Sequence, residues 1–407
     1  MIYFAIIFLL ILLIYHYDYQ DHSKDRLQWY VACCIILILL SGLRYRLGID
    51  STRYDYGFIQ MPSLSKLDSY NYDDTRYGVG YIFLNSIART LSDSFVMMQF
   101  LHAIFINSLI FLFFYRNTKH IFFATFLYFL ILYFNYNCEI LRESCAIVVF
   151  LFAWKYFKTD AWLKYYIYCV IAVLFHPSAL LTLLFPIFYL PIFRYFFRMN
   201  WIFGFTCVIV FVIAGIISIK FFDLIQLISL SSMEDYAETY RNSSLAESKS
   251  LNIIGICSFF LRSILYPFVA IVILKRIKNK IPCNNNESGE NEKLEYMICW
   301  YTYISIITLF ISLFYRFNNY LMPFTILVLA DVVFTKVKIS RQRVLKLSFV
   351  FTWFLMLPYL AINIYGYLSD DNGSGIKNIR RYYPYASVLD PYKDAKREQL
   401  FRYLGGN

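Results

Sequence analysis

Charge is scarce in this chain. Only 16% of its 407 residues are Asp, Glu, Lys or Arg, against 59% hydrophobic and 21% aromatic. One soluble core cannot hide that much apolar surface, so lipid is the expected solvent for much of the chain. Metal signals are missing as well. The nine cysteines form no CxxC pair and no zinc-like Cys/His spacing. Most of them, including Cys33, Cys34, Cys145, Cys169, Cys207, Cys257 and Cys299, sit inside apolar runs and read as small buried hydrophobes. No metal and no cofactor is expected. Matching motifs in the two halves are absent, which weakens the inverted-repeat logic of secondary transporters. Met1 to Tyr15 has no basic n-region and no small-residue cleavage site before Asp18, so it reads as a retained first helix.

Apolar segments are present along almost the whole chain. They run over residues 1–17, 27–43, 94–115, 119–135, 139–157, 161–176, 178–195, 200–222, 251–274, 295–315, 317–335 and 344–367. A helix needs ~20 apolar residues to cross a hydrocarbon core, and these segments approach that length. They predict an all-α, polytopic membrane bundle of about 12 transmembrane helices, a single membrane domain over 1–407. Segment 77–91 is shorter and carries Asn85 and Arg89, so it is expected to lie in the interface without spanning.

The net charge of +11 is distributed in short clusters between apolar segments, a pattern of topology and not of nucleic-acid binding. Alternate connections are basic: Lys24/Arg26, Arg116/Lys119, Lys155/Lys158/Lys164, Arg194/Arg198, Lys275 to Lys280, and Lys336 to Lys346. Placing all of these in the cytoplasm puts both termini outside, with external loops at 44–93 and 221–250 and an external tail at 368–407. The cytoplasmic loop 275–294 contains the polar run PCNNNESGENEK, expected to be a flexible linker. The 44–93 loop and the tail are expected to roof an outward-facing groove, with Tyr382-Tyr383-Pro384-Tyr385 packing back on that roof.

An Arg at the bilayer centre costs about 2.5–3.5 kcal/mol, so arginines at helix ends call for partners. Four external features gather them: Arg44, Arg46, Asp50 and Arg53 in the first loop; Glu139, Arg142 and Glu143 at a helix start; His176 before Pro177 in a turn; and Arg316 at another turn. The helices that begin near Glu139 and Arg316 point their N-termini outward, where free N–H groups and the helix dipole favour phosphate. Arg adds a planar fork that grips phosphate oxygens in two places. An anionic, phosphorylated, lipid-linked substrate uses all of these features. Each also has a plain structural alternative. Arg142 can pair with Glu139 or Glu143 within a turn. Arg44 and Arg46 can snorkel to the headgroups, and His176 can be satisfied by a backbone carbonyl.

The chain resembles the EpsG-type, Wzy-like polymerases of bacterial exopolysaccharide and O-antigen synthesis. The resemblance rests on Arg44-Tyr45 with Gly48-Ile49-Asp50 and Tyr54, on Leu141-Arg142-Glu143-Ser144 with Ala146, and on Phe175-His176-Pro177-Ser178-Ala179. It continues through Tyr315-Arg316 with Tyr320 to Tyr383-Pro384-Tyr385. The order of these motifs along almost the whole chain carries it. Where the family commonly has Gln after the helix-start Arg, this chain has Glu143.

The resemblance implies a multi-pass protein of the bacterial inner membrane whose active site faces the periplasm or exterior. Its implied substrate is an undecaprenyl-diphosphate-linked glycan, and its implied reaction is transfer of that glycan to a hydroxyl on the next lipid-linked repeat unit. Arg142 and Arg316 would bind the diphosphate, with Arg44 and Arg46 guiding the anionic head. His176, Asp50 or Glu143 would activate the hydroxyl. Membrane lipid and a chain-length regulator protein are the further partners expected, with no nucleic acid. An oligosaccharide ligase is the alternative enzyme and a flippase the non-enzymatic one. Charges gathered at one face, with apolar mid-helix positions, favour an enzyme over a flippase.

Overall fold

The computed structural model describes residues 2–72, 75, 77–198, 201–227, 260–265, 267–269, 272, 285–334, 337–338, 344–345, 357, 360–370 and 374–405. The loop expected over 221–250 lies outside them beyond residue 227. So do most of segments 251–274 and 344–367 and the Lys275 to Lys280 cluster. Apart from a two-residue antiparallel ladder, Val337–Lys338 with Val344–Leu345, the regular structure described is helical. The chain divides into two compact units, residues 1–184 with 360–407, and residues 185–359.

The first unit starts with α1 (Ile2–Leu13), continued by a π-helical turn to Tyr19, and α2 (Arg26–Gly42). Then follow α3 (Ser51–Ile59), α4 (Val79–Leu91), α5 (Phe95–Asn117), α6 (Ile121–Ile131), α7 (Leu141–Lys158) and α8 (Trp162–Phe175). Helix α7 is the central one. Every residue from Glu143 to Leu151 is buried, so all of its faces meet protein, as expected of a helix that is apolar all round. Polar groups inside the bundle find one another. Asn107 Nδ2 donates to Asn137 Oδ1 (3.0 Å), and the Tyr128 hydroxyl donates to Asn107 Oδ1 (3.0 Å). Asn137 Nδ2 in turn donates to the Tyr128 hydroxyl oxygen (3.1 Å). Pairing of this kind removes the desolvation cost of polar atoms away from water.

The ends of these helices separate into two sets. At one end the Asp18 carboxylate accepts from the Phe123 N–H (2.8 Å) in the first turn of α6 and pairs with Arg26 (3.1 Å), which also donates to the Lys119 carbonyl. The basic residues Lys155, Lys158 and Lys164 belong to this end, because α7 finishes and α8 begins there. Arg44, Glu139, Arg142 and His176 belong to the other. Sorting by end is what the alternating basic connections predict for this part of the chain.

The second unit holds α9 (Trp201–Leu227), α10 (Asn285–Thr308) and α11 (Tyr315–Phe334). Helix α10 begins ten residues before the expected start at 295, so the backbone of 285–294 is helical where a flexible linker was expected. Glu292 on it is held by Arg194 and Arg198, which join two adjacent basic residues to one carboxylate. The expected straight helix over 178–195 is broken. Pro177–Phe188 and Pro191–Phe197 meet at 96°, since Pro191 cannot supply the N–H that would continue the earlier turn and instead opens a new one. The first unit closes with a helical stretch over 360–368 and with α12 (Ala395–Gly405).

By length and composition three described helices can cross a membrane: Ile2–Tyr19, Phe95–Asn117 and Tyr315–Phe334, or up to four if the bent pair is one span. Helices Arg26–Gly42, Ile121–Ile131, Trp162–Phe175 and Trp201–Ile217 are apolar but shorter. The chain is thus an all-helical protein with membrane-spanning character. The count of about 12 remains the sequence's expectation.

Candidate functional site

The C-terminal tail is laced to the first loop by backbone hydrogen bonds. Tyr45 N–H donates to Ala386 O (2.9 Å), Val388 N–H to Leu43 O (2.9 Å) and Gly48 N–H to Arg381 O (3.1 Å). Side chains finish the attachment. Arg46 makes a two-pronged ion pair with Glu398 of α12 (Nε to Oε1 2.8 Å, Nη2 to Oε2 2.7 Å). Arg397 is 1% exposed and donates to the Arg380 carbonyl (3.1 Å) and the Pro384 carbonyl. Tyr382 stacks on Phe134 (4.9 Å), and Tyr385 donates to Leu40 O (3.0 Å). Tyr382 and Tyr385 therefore pack back onto the helix ends, whereas Tyr383 is exposed. Replacing Arg397 by Ala leaves those carbonyls without a buried cationic donor, a cost of about 3 kcal/mol to tail attachment. Faster protease cleavage after residue 376 in intact membranes is the expected result, and an unchanged digestion pattern would refute this role of Arg397 in attaching the tail.

Glu139 sits where tail, loop and helix meet. It accepts from the Tyr382 hydroxyl (2.8 Å) and from the Ile49 N–H (3.0 Å), in a π-helical turn just before α7. Burial pushes its carboxyl above the usual carboxylate range, opposed chiefly by the charge of Arg381. With the folded value raised, the stability that Glu139 contributes is complete below the ordinary value of 4.5 and is lost as pH rises through the folded one. Tail protection from protease should accordingly weaken as pH rises above 4.5 through the folded value. Glu139→Gln should flatten that dependence, and a slope unchanged in the variant would sink the assignment.

Arg142 is the second residue of α7 and lies over the Tyr77 ring, 5.0 Å from its centroid. Its guanidinium also reaches the Tyr54 hydroxyl, whose pKa burial raises to about 12 against the opposing pull of Arg142. Tyr54 donates in turn to the Glu139 carbonyl (3.3 Å). The two aromatic rings hold the cation at the positive end of a helix, where an anion is favoured. Glu139, offered by the sequence as a partner of Arg142, is engaged by Tyr382 and Ile49. Glu143 is 2% exposed, inside the helix packing.

His176 ends α8. Its Nδ1 accepts from the Ser178 N–H (3.2 Å) and lies 2.6 Å from the Ser178 hydroxyl, which places the proton of the neutral ring on Nε2. That turn abuts the segment carrying Tyr77, because a Cβ on Gly78 would lie 2.3 Å from the Leu174 carbonyl oxygen. Asp50, at the start of α3, is partly exposed and pairs with Arg53 (3.4 Å). It is close enough to influence both Glu139 and Tyr54 electrostatically. One end of the first unit thus gathers Arg44, Arg46, Asp50, Arg142 and His176 around the loop and tail. Arg316 lies in the first turn of α11, in the second unit.

Sequence reasoning did not single out Tyr77, and it placed Glu139 only as a pairing partner of Arg142 and Tyr382 only as a packing residue. Glu139 did carry a signal, an acid directly before a helix-start Arg. The tail tyrosines were legible only as a packing motif.

No curated protein and no solved structure matches the chain. A family model described as the EpsG family matches residues 27–386, nearly the whole sequence. The arginine-bearing loop, the start of α7, the His176 turn and the tail as far as Ala386 all fall within that match, and the chain belongs to the EpsG family.

Proposed function

We propose that this chain is a glycan polymerase of the bacterial inner membrane, joining undecaprenyl-diphosphate-linked repeat units at its non-cytoplasmic face during surface polysaccharide synthesis. Family membership supports a polymerase-like membrane protein. The observation that carries the finer reading is Arg142, held on Tyr77 at the N-terminus of α7 beside Asp50 and Tyr54. In the reaction the acceptor hydroxyl oxygen bonds to the anomeric carbon of the donor glycan. The bond from that carbon to the carrier diphosphate breaks, and the diphosphate leaves with the electron pair. Arg142 neutralises that leaving charge.

The hydroxyl proton passes to a base. Among the three candidates Asp50 is favoured. Glu143 is enclosed, and the Nδ1 of His176 already accepts from Ser178, whereas the Asp50 side chain is 36% exposed. His176, with its proton on Nε2, suits hydrogen-bond donation to a phosphate or sugar oxygen. Arg46 enters the site already paired to Glu398, so its contact with an anionic head requires sharing or displacing that carboxylate.

Deleting the gene and running the surface glycan on a gel tests the reading. Accumulated single repeat units, rescued by the wild-type gene but not by Asp50→Asn at normal membrane level, support it. Long glycan retained on its carrier points to a ligase, and unaltered glycan rejects the function.

A further inference from the structure

Arg44 is 1% exposed, yet only one of its donors is described with a partner: Nη1 donates to the Ser41 carbonyl (2.5 Å). Its Nε and Nη2 are buried with no hydrogen-bond partner among the described residues, and so is the hydroxyl of Ser51. Buried polar atoms in folded proteins are almost always paired, so three orphans together indicate a group that completes them. All three belong to residues lining one cavity of about 140 Å³ in the first unit, shared with Arg46, Thr52, Asp55 and Gln99. Two helices begin at its wall, α3 at Ser51 and α5 at Phe95, so two positive dipole ends add to the guanidinium.

Charge and size narrow the occupant. Arg46 is matched by Glu398, and Asp55 brings a carboxylate that offsets Arg44, so the lining is neutral as a whole. A single negative charge is held there by hydrogen bonds from the open Arg44 donors and the Ser51 hydroxyl, which are charge-assisted and local. A diphosphate brings at least two charges and meets the Asp55 carboxylate with both. A cavity of about 150 Å³ accommodates one six-membered ring. Hydroxyl and amide groups on Ser51, Thr52 and Gln99 match sugar hydroxyls.

We propose that the Arg44 cavity is a subsite for the carboxylate of an acidic sugar in the repeat unit, bound by Arg44 and Ser51 with Gln99 and Thr52 at the ring hydroxyls. This rests on the glycan-polymerase reading and makes the repeat unit anionic. It gives Arg44 a role in choosing the glycan, separate from holding the carrier.

The test is ligand-observed NMR on the full chain in lipid nanodiscs, with methyl glucuronide, methyl glucoside and inorganic pyrophosphate as probes. Methyl glucuronide should bind at about 1–10 mM, as one ring with one charge-assisted contact allows, while methyl glucoside gives no signal. Arg44→Gln should abolish binding. Because that side chain is buried, Ser51→Ala serves as the milder variant, with an expected loss of about five-fold. Glucuronide binding that is absent, or that survives both variants, overturns the proposal. Pyrophosphate that displaces glucuronide with the same dependence on Arg44 and Ser51 also overturns it and assigns the cavity to the carrier. The two readings fail separately. Glucuronide binding in a protein whose deletion leaves surface glycan intact removes the polymerase and keeps the subsite, and polymer loss without glucuronide binding does the reverse.

Discussion

Arg142→Ala is expected to abolish the polymer ladder while the protein stays in the membrane at its normal level. The side chain lies at the entry of α7, over Tyr77 and against Tyr54. On the proposed mechanism its loss also removes the positive charge that faces the departing diphosphate. Loss of one preorganised group at a developing anion typically costs about 10²–10³ in rate. Lysine restores the charge without the planar fork or the stacking geometry, so Arg142→Lys should recover only a minor part. Tyr77→Phe keeps the ring face beneath the cation and should remain active, whereas Tyr77→Ala should lose about 0.5–2 kcal/mol of cation placement. Membrane vesicles supplied with lipid-linked repeat units provide the measurement. A full-length ladder from Arg142→Ala would take this residue out of the reaction.

Gly48→Ala should damage the site from a position that touches no substrate. Gly48 has φ of +90°, a region that side-chain-bearing residues avoid. A Cβ there would sit 2.6 Å from the Cys138 carbonyl oxygen and 2.9 Å from the Cys138 Cβ. Backbone strain alone costs about 1–3 kcal/mol, and the clash forces the loop away from the turn that carries Glu139, for a total above about 3 kcal/mol. The Gly48 N–H bond to Arg381 and the Ile49 N–H bond to Glu139 would go with it. Thermal unfolding in detergent should show a clearly lowered midpoint together with release of the tail. Gly366→Ala is the control, since nothing lies within 4 Å of a Cβ there. Equal behaviour of the two variants would refute the close approach.

The sequence marked many of these residues and few of their partners. Arg44, Arg46, Asp50, Arg142 and His176 stood out because charged groups beside apolar runs are costly and therefore conspicuous. The short α4 was legible as well, from Asn85 and Arg89 in a stretch too brief to span. Pairings were not legible, because Arg46 meets a carboxylate 352 residues away and Tyr382 reaches Glu139 across 243. No local pattern records such contacts. The break after Phe188 was missed because hydropathy over 178–195 is uniform, and only Pro186 and Pro191 mark it.

Composition by itself determined that lipid is the solvent and that the chain is helical, because inside a bilayer each segment must satisfy its own backbone hydrogen bonds. It also determined which residues could carry an anion site. Which of them is left with open donors was decided by tertiary structure. Packing of the tail onto the first loop neutralises Arg46 with Glu398 and leaves Arg44 enclosed with two donors open. A guanidinium's availability depends on what the fold brings to it, and those partners arrive from the far end of the chain.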